Sequence, residues 1–94
     1  GQLAILNKSG QQMIAAAVGT DGGLLDISNN SGQQVIYAGT GARGDGMFEV
    51  KNSSGKQVIY AGTDLNGSGD GLLTVNNKSG QGIKAHPSAA YVRD

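Results

Sequence analysis

Apolar and polar residues alternate along two stretches of the chain: Leu25 and Ile27 with Asp26 and Ser28, and Phe48 and Val50 with Glu49 and Lys51. A period of two predicts strands with one buried face. Each stretch is followed by Asn-x-Ser-Gly, at Asn29–Gly32 and Asn52–Gly55. Asn at the start and Gly at the end suit a type I turn closed by a left-handed Gly, which predicts a hairpin. The returning strands read differently. Val35, Ile36, Tyr37 and Ala38, and again Val58, Ile59, Tyr60 and Ala61, are apolar on consecutive residues. A strand apolar on both faces is normally covered on both, and a meander of one chain supplies only one layer.

The unit recurs. GMFEVKNSSGKQVIYAG at Gly46–Gly62 aligns with Gly23–Gly39, with Gly71–Ala85 and with Gln2–Gly19. The turn serines Ser9, Ser31, Ser54 and Ser79 lie 31−9 = 22, 54−31 = 23 and 79−54 = 25 residues apart. A period in the twenties marks a repeat architecture, in which one unit cannot bury its apolar face alone. The expected class is all-β, with tandem short hairpin repeats over residues 2–22, 23–45, 46–70 and 71–85 and a cap or exit segment over residues 86–94. In the last copy Ile83 keeps an inward position, Lys84 takes the Ile14/Ile36/Ile59 position, and Pro87 ends the ladder. Tyr91 and Val92 are expected to fold back.

Composition narrows the reading. Ninety-four residues allow one domain, with formal net charge +0 and 15% charged residues. The seven Lys and Arg are scattered, which argues against nucleic acid. No apolar run approaches the roughly 20 residues of a membrane helix. The chain opens on Gly1 without an initiator Met, as an excised piece would. Cysteine and Trp are absent and aromatics are 4%, so neither disulfides nor a large core can hold the fold. Self-association is the expected source of stability.

Candidate chemistry is sparse. Arg43-Gly44-Asp45 resembles the adhesion tripeptide recognised by integrins, although Asp45-Gly46 also aligns with Asp70-Gly71 of the next repeat. In the loop before Gly71, Asp64, Asn66, Ser68 and Asp70 place oxygens at alternate positions, as a calcium loop does. The bidentate acid such a loop needs is replaced by Val75, and Asp and Asn beside Gly are ordinary turn residues. Asp21 and Asp45 are further acidic candidates. Asp26 and Glu49 sit at equivalent outward positions, a spacing that suits either a glycosidase pair or a solvated face. Tyr37 and Tyr60 repeat at one position, as sugar platforms or as packing. His86 is the chain's one histidine and assembles no triad or metal cluster in sequence, so no enzyme is expected.

Short strands, Gly turns and Asp/Asn/Gly loops in tandem resemble the β-structured repeats of trimeric fibrous proteins: phage tail fibres and needles, viral fibre shafts and bacterial surface fibres. The resemblance covers about residues 2–85. It implies three chains about a common axis in a β-helix- or β-prism-like fibre, extracellular or on a virion or cell surface. Leu25, Ile27, Val35, Ile36, Phe48, Val50, Val58, Ile59, Leu73, Val75 and Ile83 would form the oligomer core. The implied function is a structural shaft or stalk with no cofactor, its partner being itself and any cell-surface or glycan receptor being met through flanking regions. The alternative is a carbohydrate- or calcium-binding module that acts through the long loops.

Overall fold

A computed structural model describes residues 1–64 and 66–87. Residues 88–94 of the expected exit segment, with Tyr91 and Val92, lie outside the described residues. The protein is all-β, with eight antiparallel strands in one open sheet ordered β1 to β8 and no helix among the described residues. The strands are β1 (Gln2–Leu6), β2 (Gln12–Val18), β3 (Gly23–Ser28), β4 (Gln34–Thr40), β5 (Gly46–Lys51), β6 (Gln57–Thr63), β7 (Gly71–Asn76) and β8 (Gly82–Ala85).

One end of the sheet carries four turns built alike. Asn52 Oδ1 accepts the amides of Ser54 at 3.0 Å and Lys56 at 3.1 Å. Asn7, Asn29 and Asn77 hold Ser9 and Gln11, Ser31 and Gln33, and Ser79 and Gln81 in the same way. The turn glycine donates to the Asn carbonyl, and Gly55 has φ 84°, a left-handed value that costs a side chain about 1 kcal/mol or more. The short polar Asn and the Gly therefore close each hairpin with local chemistry alone.

The register sorts the side chains onto two faces. Across one face runs the row Leu3, Ala16, Leu25, Ala38, Phe48, Ala61, Leu73 and Ala85. Beside it runs Ile5, Ile14, Ile27, Ile36, Val50, Ile59, Val75 and Ile83. In the first row a large residue alternates with Ala, and the second is branched throughout. A bulge in each of the first three hairpins sets this register. Met13, Val35 and Val58 are the extra residues, between Gln12 and Ile14, Gln34 and Ile36, and Gln57 and Ile59. The fourth hairpin has none, because Val75 pairs with Ile83 and Asn76 with Gly82. A Cβ on Gly82 would strike the Val75 carbonyl and Asn76, so β8 lies closer to β7 than a side chain allows.

That close approach corrects the expected position of Lys84. Sequence alignment puts Lys84 at the Ile14/Ile36/Ile59 position, but loss of the bulge slides β8 by one residue. Ile83 therefore joins the aliphatic row, and Lys84 falls opposite Thr74 on the other face. A one-residue slip moves a side chain to the opposite face, so the deletion preserves the apolar row.

The opposite face is mixed. One row reads Ala4, Ala15, Asp26, Tyr37, Glu49, Tyr60, Thr74 and Lys84. Gln34 Nε2 donates to Asp26 Oδ1 at 2.5 Å, and Lys51 Nζ donates to Gln34 Oε1 at 3.1 Å. Gln57 Nε2 donates to Glu49 Oε2. The tyrosine rings lie over glycines two residues on. A Cβ on Gly39 would come within 2.7 Å of the Tyr37 hydroxyl, and one on Gly62 within 2.8 Å of the Tyr60 hydroxyl. This packing is the physical content of the repeated Tyr-Ala-Gly: the small residue leaves room for the ring to lie flat on the sheet.

Candidate functional site

The sheet end opposite the Asn turns carries three loops, and they are not alike. The first closes with Gly19 N donating to Gly22 O at 2.8 Å. The second runs from Gly41 to Asp45, with Gly41 N donating to Asp45 O at 2.8 Å. The third runs from Asp64 to Asp70, closed by the equivalent bond from Asp64 N to Asp70 O, also 2.8 Å. Asp64 therefore stands where the preceding repeat has Gly41, and the third loop is two residues longer.

The second loop contains Arg43-Gly44-Asp45. Gly44 has φ 85° and donates to Gly41 O at 2.9 Å, which repeats the geometry of the Asn turns. Asp45 accepts a 3.0 Å hydrogen bond from Thr63 Oγ1, so its carboxylate is drawn back to the sheet. The Arg43 guanidinium lies against Gly67 of the next loop, where an added Cβ would come within 3.3 Å of it. Between the two loops is an open cleft of about 410 Å³ whose lining includes Arg43, Asp45, Met47, Tyr60, Thr63 and Asp64. Tyr60 Oη donates to Thr63 O at 3.0 Å across its floor.

The third loop folds around Asp64. Ser68 donates its amide to Asp64 Oδ1 at 3.2 Å and its hydroxyl to Asp64 Oδ2 at 2.5 Å. Asp70 N in turn donates to Ser68 Oγ at 3.2 Å. Asn66 Oδ1 accepts the Ser68 amide at 2.9 Å, so this amide oxygen serves its own loop. His86, just past β8, brings Nε2 to 2.7 Å from Asp64 Oδ2 and 3.8 Å from Asp70 Oδ2. Asp64 is 7% exposed, the one buried polar or charged residue among those described. The Ser68 hydroxyl above all, and then His86, hold its carboxyl below the ordinary aspartate value against the opposing effect of burial. The sign follows: stability from a lowered carboxylate is present at neutral pH and is lost in acid as the group protonates.

Asp64 and Asp70, two of the four residues expected as cation ligands, thus converge. Ser68 supports Asp64, and Asn66 is turned to the backbone. His86 is the residue that sequence reading missed. Asp64, Asp70 and His86 each offer a ligand atom, and these atoms all lie within 4.8 Å of one another. A signal existed. His86 follows Ala85, and Ala85 pairs with Leu73 from the side opposite Ala61, so His86 occupies the repeat position of Gly39 and Gly62. Asp26 and Glu49 stand elsewhere on the mixed face, each accepting from a glutamine.

Of the residues expected to form an oligomer core, Leu25, Ile27, Ile36, Phe48, Val50, Ile59, Leu73, Val75 and Ile83 share the aliphatic face, and Val35 and Val58 are the bulged residues beside it. No protein-family model matches the chain, and no curated protein matches it in sequence.

Proposed function

We propose that this chain is a structural segment, the shaft or stalk of a trimeric fibre of the phage tail-fibre or cell-surface type. Three copies turn their aliphatic faces to a common axis, as in a β-prism. The observation that carries this reading is the uncovered aliphatic face. Among the described residues nine large hydrophobics are exposed, from Leu25 at 37% to Val18 and Ile83 at 72%, and all of these but Leu6 lie on that one face. Ala15 is the one buried hydrophobic among the described residues. A sheet of this kind needs a second layer for stability, and an apolar patch of this extent marks a contact surface.

Each Ile or Val moved fully out of water stabilises the assembly by about 1.5–3 kcal/mol, less where it is already half-buried, and the branched row supplies one in every strand. The regular rows of Ala between large side chains suit interdigitation with a facing sheet.

The test is light scattering behind size exclusion on the whole chain, in calcium and then in chelator. A mass of three chains in both buffers is expected. A monomer at tens of micromolar overturns the assembly, and a stable dimer overturns the threefold axis.

A further inference from the structure

We propose that Asp64, Asp70 and His86 form a binding site for a divalent transition-metal ion of zinc chemistry, built into the long-loop end of the sheet. The proposal is independent of the oligomeric state. It rests on where the chain departs from its own repeat. The second loop and the tyrosine strands show what the hairpin scaffold requires: Gly41 to open the loop, a five-residue closure, and Gly39 or Gly62 beneath a tyrosine. The third loop opens on Asp64 instead, is longer by two residues, and faces His86 at the glycine position. Two of these departures share one loop and the third lies past β8, yet they meet at one point, with His86 Nε2 2.7 Å from Asp64 and 3.8 Å from Asp70.

Burial is the second observation. Ala15 is the only hydrophobic buried among the described residues, yet the carboxylate of Asp64 is 7% exposed. Burying a charge is costly, and here Ser68 and His86 compensate it; hairpin closure does not call for a carboxylate at this position, since Gly41 closes the equivalent loop with the same bond. Ser68 grips both oxygens of Asp64 and so fixes its orientation, the task of an outer-shell partner at a metal centre.

The donor set selects the ion. Calcium takes six to eight oxygens, whereas an imidazole with two carboxylates suits a smaller, nitrogen-seeking ion such as zinc, with water in the fourth position. Around tetrahedral zinc, ligand atoms about 2.0–2.1 Å from the metal stand about 3.3 Å apart. Two of the three separations, 2.7 and 3.8 Å, bracket that value, and all three ligand atoms lie within 4.8 Å of one another. Binding would require His86 to present a neutral nitrogen and would replace its contact with Asp64 by two metal bonds.

The experiment uses the whole chain, stripped with chelator and desalted, and titrated with zinc chloride by calorimetry and by nitrogen-detected NMR of the imidazole. His86 is the chain's one histidine, so its signal is unambiguous. One zinc per chain, with a large shift of one His86 ring nitrogen, is expected. His86→Gln and Asp70→Asn should each weaken binding at least about tenfold, Asp45→Asn should leave it unchanged, and millimolar calcium chloride should not displace the zinc. An unshifted His86 in excess zinc overturns the site. So does equal affinity in folded Asp70→Asn, a change at an exposed residue. A chain that melts earlier as His86→Gln, while wild-type chain ignores zinc, would show a simple ion-pair clasp and also overturn it. Mass by light scattering, read in parallel, reports on assembly alone.

Discussion

The two faces of this sheet use the same backbone and satisfy opposite needs. The mixed face completes its interactions within the chain. Gln34 bridges Asp26 and Lys51, Gln57 meets Glu49, and the tyrosines lie over Gly39 and Gly62. The aliphatic face is only partly covered: Ile27, Ile36, Val50 and Ile59 are half-buried, and Phe48, Leu73, Val75 and Ile83 remain exposed. Polar groups can find partners one strand away, because a hydrogen bond is satisfied by a single neighbour. Apolar surface leaves water only when a second layer covers it, and the described residues form a single eight-stranded sheet without one. Among the described residues the mixed face finds its partners within the chain, and the aliphatic face is the one on which the proposed assembly rests.

Substitutions on each face can break this contrast. The largest effect is expected from Ile59→Asp, in the middle of the branched row between Val50 and Val75. A carboxylate there would sit unpaired in the proposed dry interface, at a cost of about 3 kcal/mol or more per chain. Loss of the three-chain mass and a large fall in melting temperature are the readouts. A variant that keeps both would show the aliphatic face to be free in the native particle.

Gly62→Val comes next. The new side chain would displace the Tyr60 ring and its hydrogen bond to Thr63 O, costing about 1–3 kcal/mol by denaturant titration. The assembled mass should be unchanged, because the damage is confined to the mixed face. A dissociated Gly62→Val chain would mean that the two faces are not separable.

Asn52→Ala removes the acceptor for two turn amides and should cost about 1 kcal/mol, with the hairpin retained. Gly55→Ala should cost a similar amount, because its φ of 84° lies in the left-handed region. Urea midpoints for the pair would check both values. The smallest effect is expected from Lys51→Met, which deletes one partly exposed contact to Gln34 and should change stability by less than about 0.5 kcal/mol. A loss above 1 kcal/mol there would mean that the Asp26–Gln34–Lys51 chain acts as a cooperative network.

Much of the architecture is legible in the residues themselves. Asn-x-Ser-Gly announces its turn because Asn reaches amides only two and four residues away and Gly alone accepts the left-handed position without strain. Alternation at Leu25–Ser28 and Phe48–Lys51 announces strands because neighbouring side chains in a pleated strand point to opposite faces. Both are short-range facts. The unpaired nature of the aliphatic face follows from the same pattern, since one layer of hairpins cannot cover itself.

Other features depend on how distant segments meet. In sequence Lys84 reads as a polar intruder in an aliphatic row, but the register of β8 is fixed by Gly82 pressing against Val75 and Asn76, and that contact carries Ile83 into the row instead. Asp64 and Asp70 read together as one loop, but His86 gives little sign of joining them, because 22 residues separate it from Asp64. Only the antiparallel return of β7 and β8 brings them within hydrogen-bonding reach. Strands, turns and an aliphatic stripe along one face can be read from the residues in order, since each depends on contacts within a few residues. The register of the last hairpin and the meeting of an imidazole with two carboxylates cannot, since both depend on the packing of strands against one another.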